Sequence, residues 1–295
     1  MLYPLSFSFA LLLFLLAAPC PAPPAYPTGH APRLLLTSRA PLKAKPWVPG
    51  WGFYPRAPQT WLRYHEHLRG LSTHTDPRVV FFGDSLTWEW SGPTGRAVWH
   101  RRLALLRTAN YGVGGDTTRQ ALWRIGAGEL DGLHPRVVVL LIGTDNLGDA
   151  LGDSTDAEVA QGVGAVVRAL RRRLPHAKVL LLGLLPRQDA SYCRRVQAVN
   201  RPLAALDDGQ GVRFLDMGPR FLLGPGRINH VLYTHDQLHL TTSGYQTWAD
   251  AMCPRLAEML TPRRSSLGAA NLFASRPITS SITYHNQPQP EDRNR

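Results

Sequence analysis

A serine hydroxyl attacks an ester only when a base takes its proton and a carboxylate steadies that base. Two segments of this chain carry such a set. Ser85 lies near the end of Val-Val-Phe-Phe-Gly-Asp-Ser-Leu, residues 79–86. The apolar part reads as a buried strand ended by Gly83, which places Ser85 at a strand end beside a helix start. Backbone N–H groups there can help hold an oxyanion. Taken alone, Ser85 reads equally well as an ordinary helix N-cap. Asp236 and His239, in Asp-Gln-Leu-His just ahead of a long helical pattern, supply the other half. Three residues apart in one loop, they give a base and its orienting carboxylate from a single segment. The plainer alternative is a surface pair on a helix turn. His235 and His239 are four apart, a spacing a metal would accept, but no third ligand of matching spacing is present and no metal is expected.

Two further segments fall where ligands meet a sheet. Asn-Tyr-Gly-Val-Gly-Gly-Asp-Thr-Thr, residues 110–118, is a glycine-rich turn in which a backbone N–H can supply an oxyanion donor. Gly112, Gly114 and Gly115 do not make a dinucleotide fingerprint, and no acidic residue sits at the distance that fingerprint needs. Gly-Thr-Asp-Asn, residues 143–146, follows the apolar run Val137–Ile142 and so belongs to the same edge as Ser85.

The elements that must position these residues alternate. Val79–Phe82 is a short apolar strand candidate, Val137–Ile142 is fully apolar, as strands buried on both faces are, Lys178–Leu184 reads as another buried strand and Val212–Leu215 as a short one. Ala97–Leu106, Thr117–Ile125, Asp156–Arg173, Tyr192–Leu206 and Thr242–Leu260 have helical patterns. Strands alternating with helices predict an α/β fold, a parallel sheet with helices on both faces, which binds ligands at the carboxyl ends of its strands.

Composition narrows the rest. The chain has 295 residues, is 44% hydrophobic and 18% charged, and can therefore form a sizeable core. Its net charge of +12 sits at the ends. Residues 31–70 carry seven basic and one acidic side chain, residues 262–295 five and two, and residues 71–261 only +3. A nucleic-acid binder would carry its charge on the folded part, so no nucleic-acid partner is expected. The apolar run Leu5–Ala18 is short for a membrane span of about 20 residues and fits the hydrophobic part of a secretory signal. Prolines at 19, 21, 23 and 24 crowd the cleavage region, which keeps an uncleaved signal-anchor open. The expected organisation is a signal peptide or anchor over 1–25, a Pro-rich linker over 26–58, one domain over 59–261 and a disordered tail over 262–295. Entry to the secretory pathway follows from the first of these. Cys193 and Cys253 read either as a pair or as two buried thiols.

Phe-Gly-Asp-Ser-Leu, Gly-Gly-Asp-Thr-Thr-Arg with the following Leu-Trp-Arg, Gly-Leu-Leu-Pro-Arg at 183–187 and Asp-Gln-Leu-His-Leu-Thr occur in that order. Together they resemble the GDSL/SGNH hydrolase family, and within it the catalytic subunits of the intracellular platelet-activating-factor acetylhydrolases, over residues 60–260. The resemblance implies a flavodoxin-like three-layer sandwich (the SGNH hydrolase fold) and hydrolysis of small acyl esters of a lipid or glycan without a cofactor. It implies Ser85 as nucleophile, His239 as base and Asp236 as its orienting acid. The N–H groups of Ser85 and Gly115 would be oxyanion donors. The resembled subunits pair, so a homodimer is also implied. One position departs from the pattern: the family places an asparagine, the third donor, where this chain has Asp145. Either Asp145 is protonated and donates, or Asn146 stands in for it, or the enzyme is weak or inactive; the plainer alternative is that the local backbone differs and Asp145 points away. The alternatives are therefore a polysaccharide O-acetyl esterase, which secretion would favour, and a weakly active or inactive interaction subunit that keeps the fold.

Overall fold

The computed structural model describes residues 45–50, 58–148 and 154–261. In chain order the helices are α1 (Pro58–Ser72), α2 (Ser85–Trp88), α3 (Arg96–Arg102), α4 (Thr118–Gly126), α5 (Asp156–Arg173), α6 (Ala190–Ala204) and α7 (Thr242–Leu260). The strands are β1 (Val79–Gly83), β2 (Thr108–Gly112), β3 (Val137–Leu141), β4 (Lys178–Leu182) and β5 (Val212–Leu215), with a small hairpin of β6 (Leu222–Gly224) and β7 (Arg227–Ile228). The five strands form one parallel sheet in the order β2-β1-β3-β4-β5. α5 packs between α4 and α6 on one face, while α3 and α7 pack together on the other. This is the three-layer, flavodoxin-like α/β arrangement, whose strand order reverses between β1 and β3.

The strands form where the apolar runs lie because both faces of the sheet are covered. Every residue of β1 and β3 is buried. Alternation sends Phe81 to one face, against Trp90 and Trp99, and Phe82 to the other, beneath the Arg124 guanidinium at 4.3 Å. Trp90 in turn packs on Tyr245 and Trp248 of α7.

Two glycines let the nucleophile's segment sit on the sheet. A Cβ at Gly83 would stand 2.1 Å from the Leu141 carbonyl, and one at Gly112 would stand 2.2 Å from the Trp88 nitrogen. α2 can thus lie directly across the ends of β1 and β2 only because both positions lack side chains.

A buried ionic cluster fixes the turn after β2. Arg124 has no solvent exposure. It donates to Asp116 at 2.6 Å, to Glu129 at 2.8–3.2 Å and to the Tyr111 carbonyl at 2.6 Å. α1 completes the cluster: Trp61 donates to Asp116 at 2.7 Å, and His65 lies 2.7 Å from Glu129. Burial pushes Asp116 up to about 7, and Arg124 and Trp61 pull it back only in part.

Several expectations change. Residues 110–115 were expected as a turn, yet Asn110, Tyr111 and Gly112 finish β2, because β1 offers them ladder partners at Phe81, Phe82 and Gly83. The expected helix over Ala97–Leu106 breaks at Leu103 into a short 3-10 turn that ends on Arg107 with φ 54°. Part of the expected linker is docked: Thr118 donates to the Pro46 carbonyl at 2.7 Å and Arg119 to that of Val48 at 3.1 Å. Cys193 and Cys253 are unpaired. The signal or anchor segment, Cys20 and the tail over 262–295 lie outside the described residues. Among the described residues no helix is long and apolar enough to cross a membrane.

Replacing Arg124 by Met strands two buried carboxylates. The expected loss of stability is about 3–5 kcal/mol, read from urea denaturation midpoints. A loss below about 1 kcal/mol would mean that the cluster does not hold the fold.

Candidate active site

The chain brings three side chains from distant segments into one hydrogen-bonded line. Ser85 Oγ lies 2.9 Å from His239 Nε2, and His239 Nδ1 lies 2.6 Å from Asp236 Oδ2. Ser85 is positioned by the end of β1 and the start of α2, where Asp84 accepts from the Leu86 N–H at 3.0 Å. His239 and Asp236 are positioned by the loop ahead of α7. That loop closes on itself: the Thr234 N–H donates to the His239 carbonyl at 2.8 Å, and Tyr233 bridges to Leu240. Gln237 takes a left-handed φ of 57°, which turns the backbone so that the Leu238 and His239 N–H groups both reach Asp236 Oδ1 at 3.0 Å. Thr234 adds a third donor to the same oxygen at 2.7 Å. The Gln188 N–H donates to the Gln237 carbonyl at 3.2 Å and ties the loop to the segment after β4. Tyr245, buried in α7, donates to the Leu86 carbonyl at 2.8 Å, so the helix behind the base holds the helix behind the serine.

The electrostatics match this geometry. Partial burial works to raise the Asp236 pKa, but the bonds from His239, from the Leu238 and His239 N–H groups and from Thr234 outweigh it and hold the carboxyl well below its ordinary range. An ionised Asp236 fixes the tautomer that leaves Nε2 facing Ser85.

The backbone N–H groups of Ser85 and Gly115 have no hydrogen-bond partner among the described residues. Gly115 follows β2 with φ 75°, a conformation that suits glycine, at the same sheet edge as Ser85. Asp145 opens the 3-10 turn after β3, the strand that neighbours β1. Burial pushes its carboxyl up to about 6, against the pull of Arg187 and His239. Asn146 does not stand in for it. The Asn146 side-chain Oδ1 accepts from the Thr118 N–H at 3.0 Å, and its Nδ2 donates to the Thr118 hydroxyl at 3.1 Å. The expectation of Asn146 as a donor is corrected on that ground, because its side chain serves the start of α4. His239 is committed to Ser85 and Asp236, and His235 is exposed. Among the described residues no three His, Cys, Asp or Glu side chains converge as metal ligands.

Two residues of the site went unread in the sequence. Glu89 Oε1 lies 4.0 Å from His239 Nε2, on the side opposite Asp236. Burial raises its pKa, His239 lowers it and Asp236 raises it again. Its place one helical turn beyond Ser85 was the available signal. Arg187, 6% exposed, stacks on Tyr192 at 4.4 Å and faces Asp145. It closes the Gly-Leu-Leu-Pro-Arg stretch, where only the resemblance marked it.

A parallel sheet of this order with a serine, a histidine and a carboxylate joined at its carboxyl edge defines a hydrolase class. Residues 81–247 match the GDSL-like lipase/acylhydrolase family, to which the chain belongs, and it is a carboxylic ester hydrolase. Its relatives include platelet-activating factor acetylhydrolase IB subunit alpha1 of Bos taurus, 35% identical over 214 residues, or 71% of this chain and 88% of that protein. Subunit alpha2 of Rattus norvegicus is 34% identical over 204 residues, or 68% and 83%. Among solved structures, a GDSL-like lipase from Bacteroides thetaiotaomicron shares the fold with a TM-score of 0.55 at 20% identity, covering 67% of this chain and 97% of that one.

A carboxylate 4.0 Å from Nε2 stabilises the imidazolium that forms as Ser85 is deprotonated. Glu89→Gln is therefore expected to lower kcat/KM on a chromogenic acetyl ester about fivefold, since a unit charge at 4 Å is worth about 1 kcal/mol in water. An unchanged kcat/KM would exclude this influence.

Proposed function

We propose that the chain hydrolyses short, acetyl-type acyl esters through Ser85, His239 and Asp236. The observation that carries this is the unbroken hydrogen-bonded line from Ser85 Oγ through the imidazole to an ionised Asp236. Ser85 Oγ forms a bond to the ester carbonyl carbon as His239 Nε2 takes its proton. The carbonyl π electrons move to oxygen, where the Ser85 and Gly115 N–H groups receive the charge. Collapse of this intermediate breaks the bond to the alcohol, which leaves with the proton from Nε2. Water then attacks the acyl-serine, His239 takes its proton and returns one to Ser85 Oγ, and the carboxylic acid is released. The acetyl preference rests on the names of the relatives, both of them platelet-activating factor acetylhydrolase subunits. A phospholipid-type alcohol is the leaving group on the same ground.

Ser85→Ala is expected to abolish turnover of a chromogenic acetyl ester and labelling by a fluorophosphonate. Asp236→Asn should keep the fold and lower kcat by about 10³–10⁴, the cost of the wrong imidazole tautomer. Wild-type turnover by Ser85→Ala would sink the proposal, and absence of labelling in folded wild-type protein would favour an interaction subunit that only keeps the fold.

A further inference from the structure

Three arginines brace the carboxyl edge of this sheet, and one of them is short of partners. The edge of a guanidinium that carries Nε and Nη2 presents two parallel N–H bonds and fits an anion with two adjacent oxygens. Arg124 uses that edge on Glu129, with Nε 3.0 and 3.2 Å from the two carboxylate oxygens and Nη2 at 2.8 Å. Arg195 uses it on Asp156 at 2.9 Å and on the Ser154 carbonyl at 3.1 Å. Arg187 is 6% exposed, yet its Nε and Nη2 are buried without a partner among the described residues. Asp145, on the turn after β3, lies near enough to feel this charge but does not close to an ion pair, and one of its own oxygens is unpartnered. Burial pushes that carboxyl up to about 6, which weakens its competition for the guanidinium. Buried polar groups left in this state mark places where a ligand completes the set.

The backbone fixes Arg187 beside the catalytic loop. Both its chain neighbours are bonded to that loop: Tyr233 donates to the Pro186 carbonyl, and the Gln188 N–H donates to the Gln237 carbonyl at 3.2 Å. Two residues of chain, at most about 7 Å, separate Gln237 from His239. His239 Nε2 stands 2.9 Å from Ser85 Oγ. The Tyr192 ring covers one face of the guanidinium at 4.4 Å and so holds its plane. Beside Nη2 lies Gly148, where a Cβ would stand 3.9 Å away. Gly148 has φ −78°, so the backbone does not call for glycine there, and its bare Cα leaves room next to the fork.

We propose that Arg187 is a specificity residue that holds an oxyanion of the ester substrate beside the acyl-transfer centre. The oxyanion is a phosphodiester on the alcohol or a carboxylate on the acyl group, since the fork fits either. This rests on the Ser85 reading above. Two parallel bonds select the charge and also hold it in one orientation. A lysine would keep the charge and lose the fork.

The test compares kcat/KM on matched esters. One pair is a short-chain alkyl acetyl glycerophosphocholine and the same alkyl acetyl glycerol without phosphate. The other pair is 4-nitrophenyl hydrogen succinate and 4-nitrophenyl acetate. Arg187→Met is expected to lower kcat/KM about 10- to 100-fold on the charged member of one pair, the loss of hydrogen bonds to a charged group, and to leave the neutral member within about threefold. The pair that responds tells whether the anion sits on the alcohol or on the acyl side. Arg187→Lys should fall between wild type and Arg187→Met. Gly148→Val fills the space beside Nη2 with the guanidinium intact. It should depress the same charged ester alone, which keeps the proposal testable if Arg187→Met fails to fold. Equal losses on charged and neutral esters overturn the inference and leave Arg187 a structural partner of Asp145. No loss in either pair overturns it as well. Binding of the charged esters to Ser85→Ala, titrated calorimetrically with and without Arg187→Met, separates the two readings. If wild type neither turns over nor labels with a fluorophosphonate, while that binding still weakens at least about tenfold, the Ser85 reading alone has failed. Binding indifferent to Arg187→Met overturns the anion site itself.

Discussion

A guanidinium with no access to water sets the terms of this fold. An isolated buried charge costs several kcal/mol, so Arg124 is tolerable only because Asp116, Glu129 and the Tyr111 carbonyl surround it. Those partners come from different elements. Tyr111 ends β2, Asp116 closes the glycine turn, and Glu129 follows α4. Trp61 and His65 bring in α1. The cluster therefore closes only when β2, α1 and α4 are all in place. Gly115 stands one residue before Asp116, so the backbone donor proposed for the oxyanion is fixed by a side chain buried in ionic contacts. Stability and site geometry share one set of bonds here.

The opposite end of the site has another character. Asp116 reaches both a guanidinium and an indole N–H, which offset part of the cost of its burial. Asp84 is as deeply placed, Arg187 nearly so and Asp145 partly buried, and all three keep orphaned atoms. A fold that satisfies one ionic cluster so completely has no physical obstacle to satisfying a second. Groups left unpaired in a buried place cost stability, and such costs persist where a ligand or a reacting group supplies the missing partner.

Much of this was legible in the sequence. β3 is apolar throughout and β4 is apolar after Lys178 because helices cover both faces, and this pattern points to the parallel sheet directly. Ser85, Asp236 and His239 were readable because a catalytic serine needs those chemical partners, whatever their separation. Other features depend on contacts that no local pattern encodes. Trp61 and Asp116 are 55 residues apart, and His65 and Glu129 are 64 apart. Read alone, each is an ordinary polar or aromatic helix residue. Asn110 and Gly112 have turn composition, yet pairing with β1 made them strand. Glu89 has no motif at all, and only the path of the short turns after α2 brings it to His239.

Asn146 shows why neighbouring sequence positions are not interchangeable at this edge. In the 3-10 turn after β3, side chains at successive positions point apart by about 120°. If Asp145 faces the charges around Ser85, Asn146 must face elsewhere, and it finds the N–H and hydroxyl of Thr118 at the start of α4. Turning it back toward Ser85 would leave that buried N–H without its acceptor, at a cost of about 1–3 kcal/mol. The amide one residue away is therefore held by the fold itself. The side chain that this turn leaves toward the charges around Ser85 is Asp145, whose carboxyl is pushed up by burial and pulled back by Arg187 and His239.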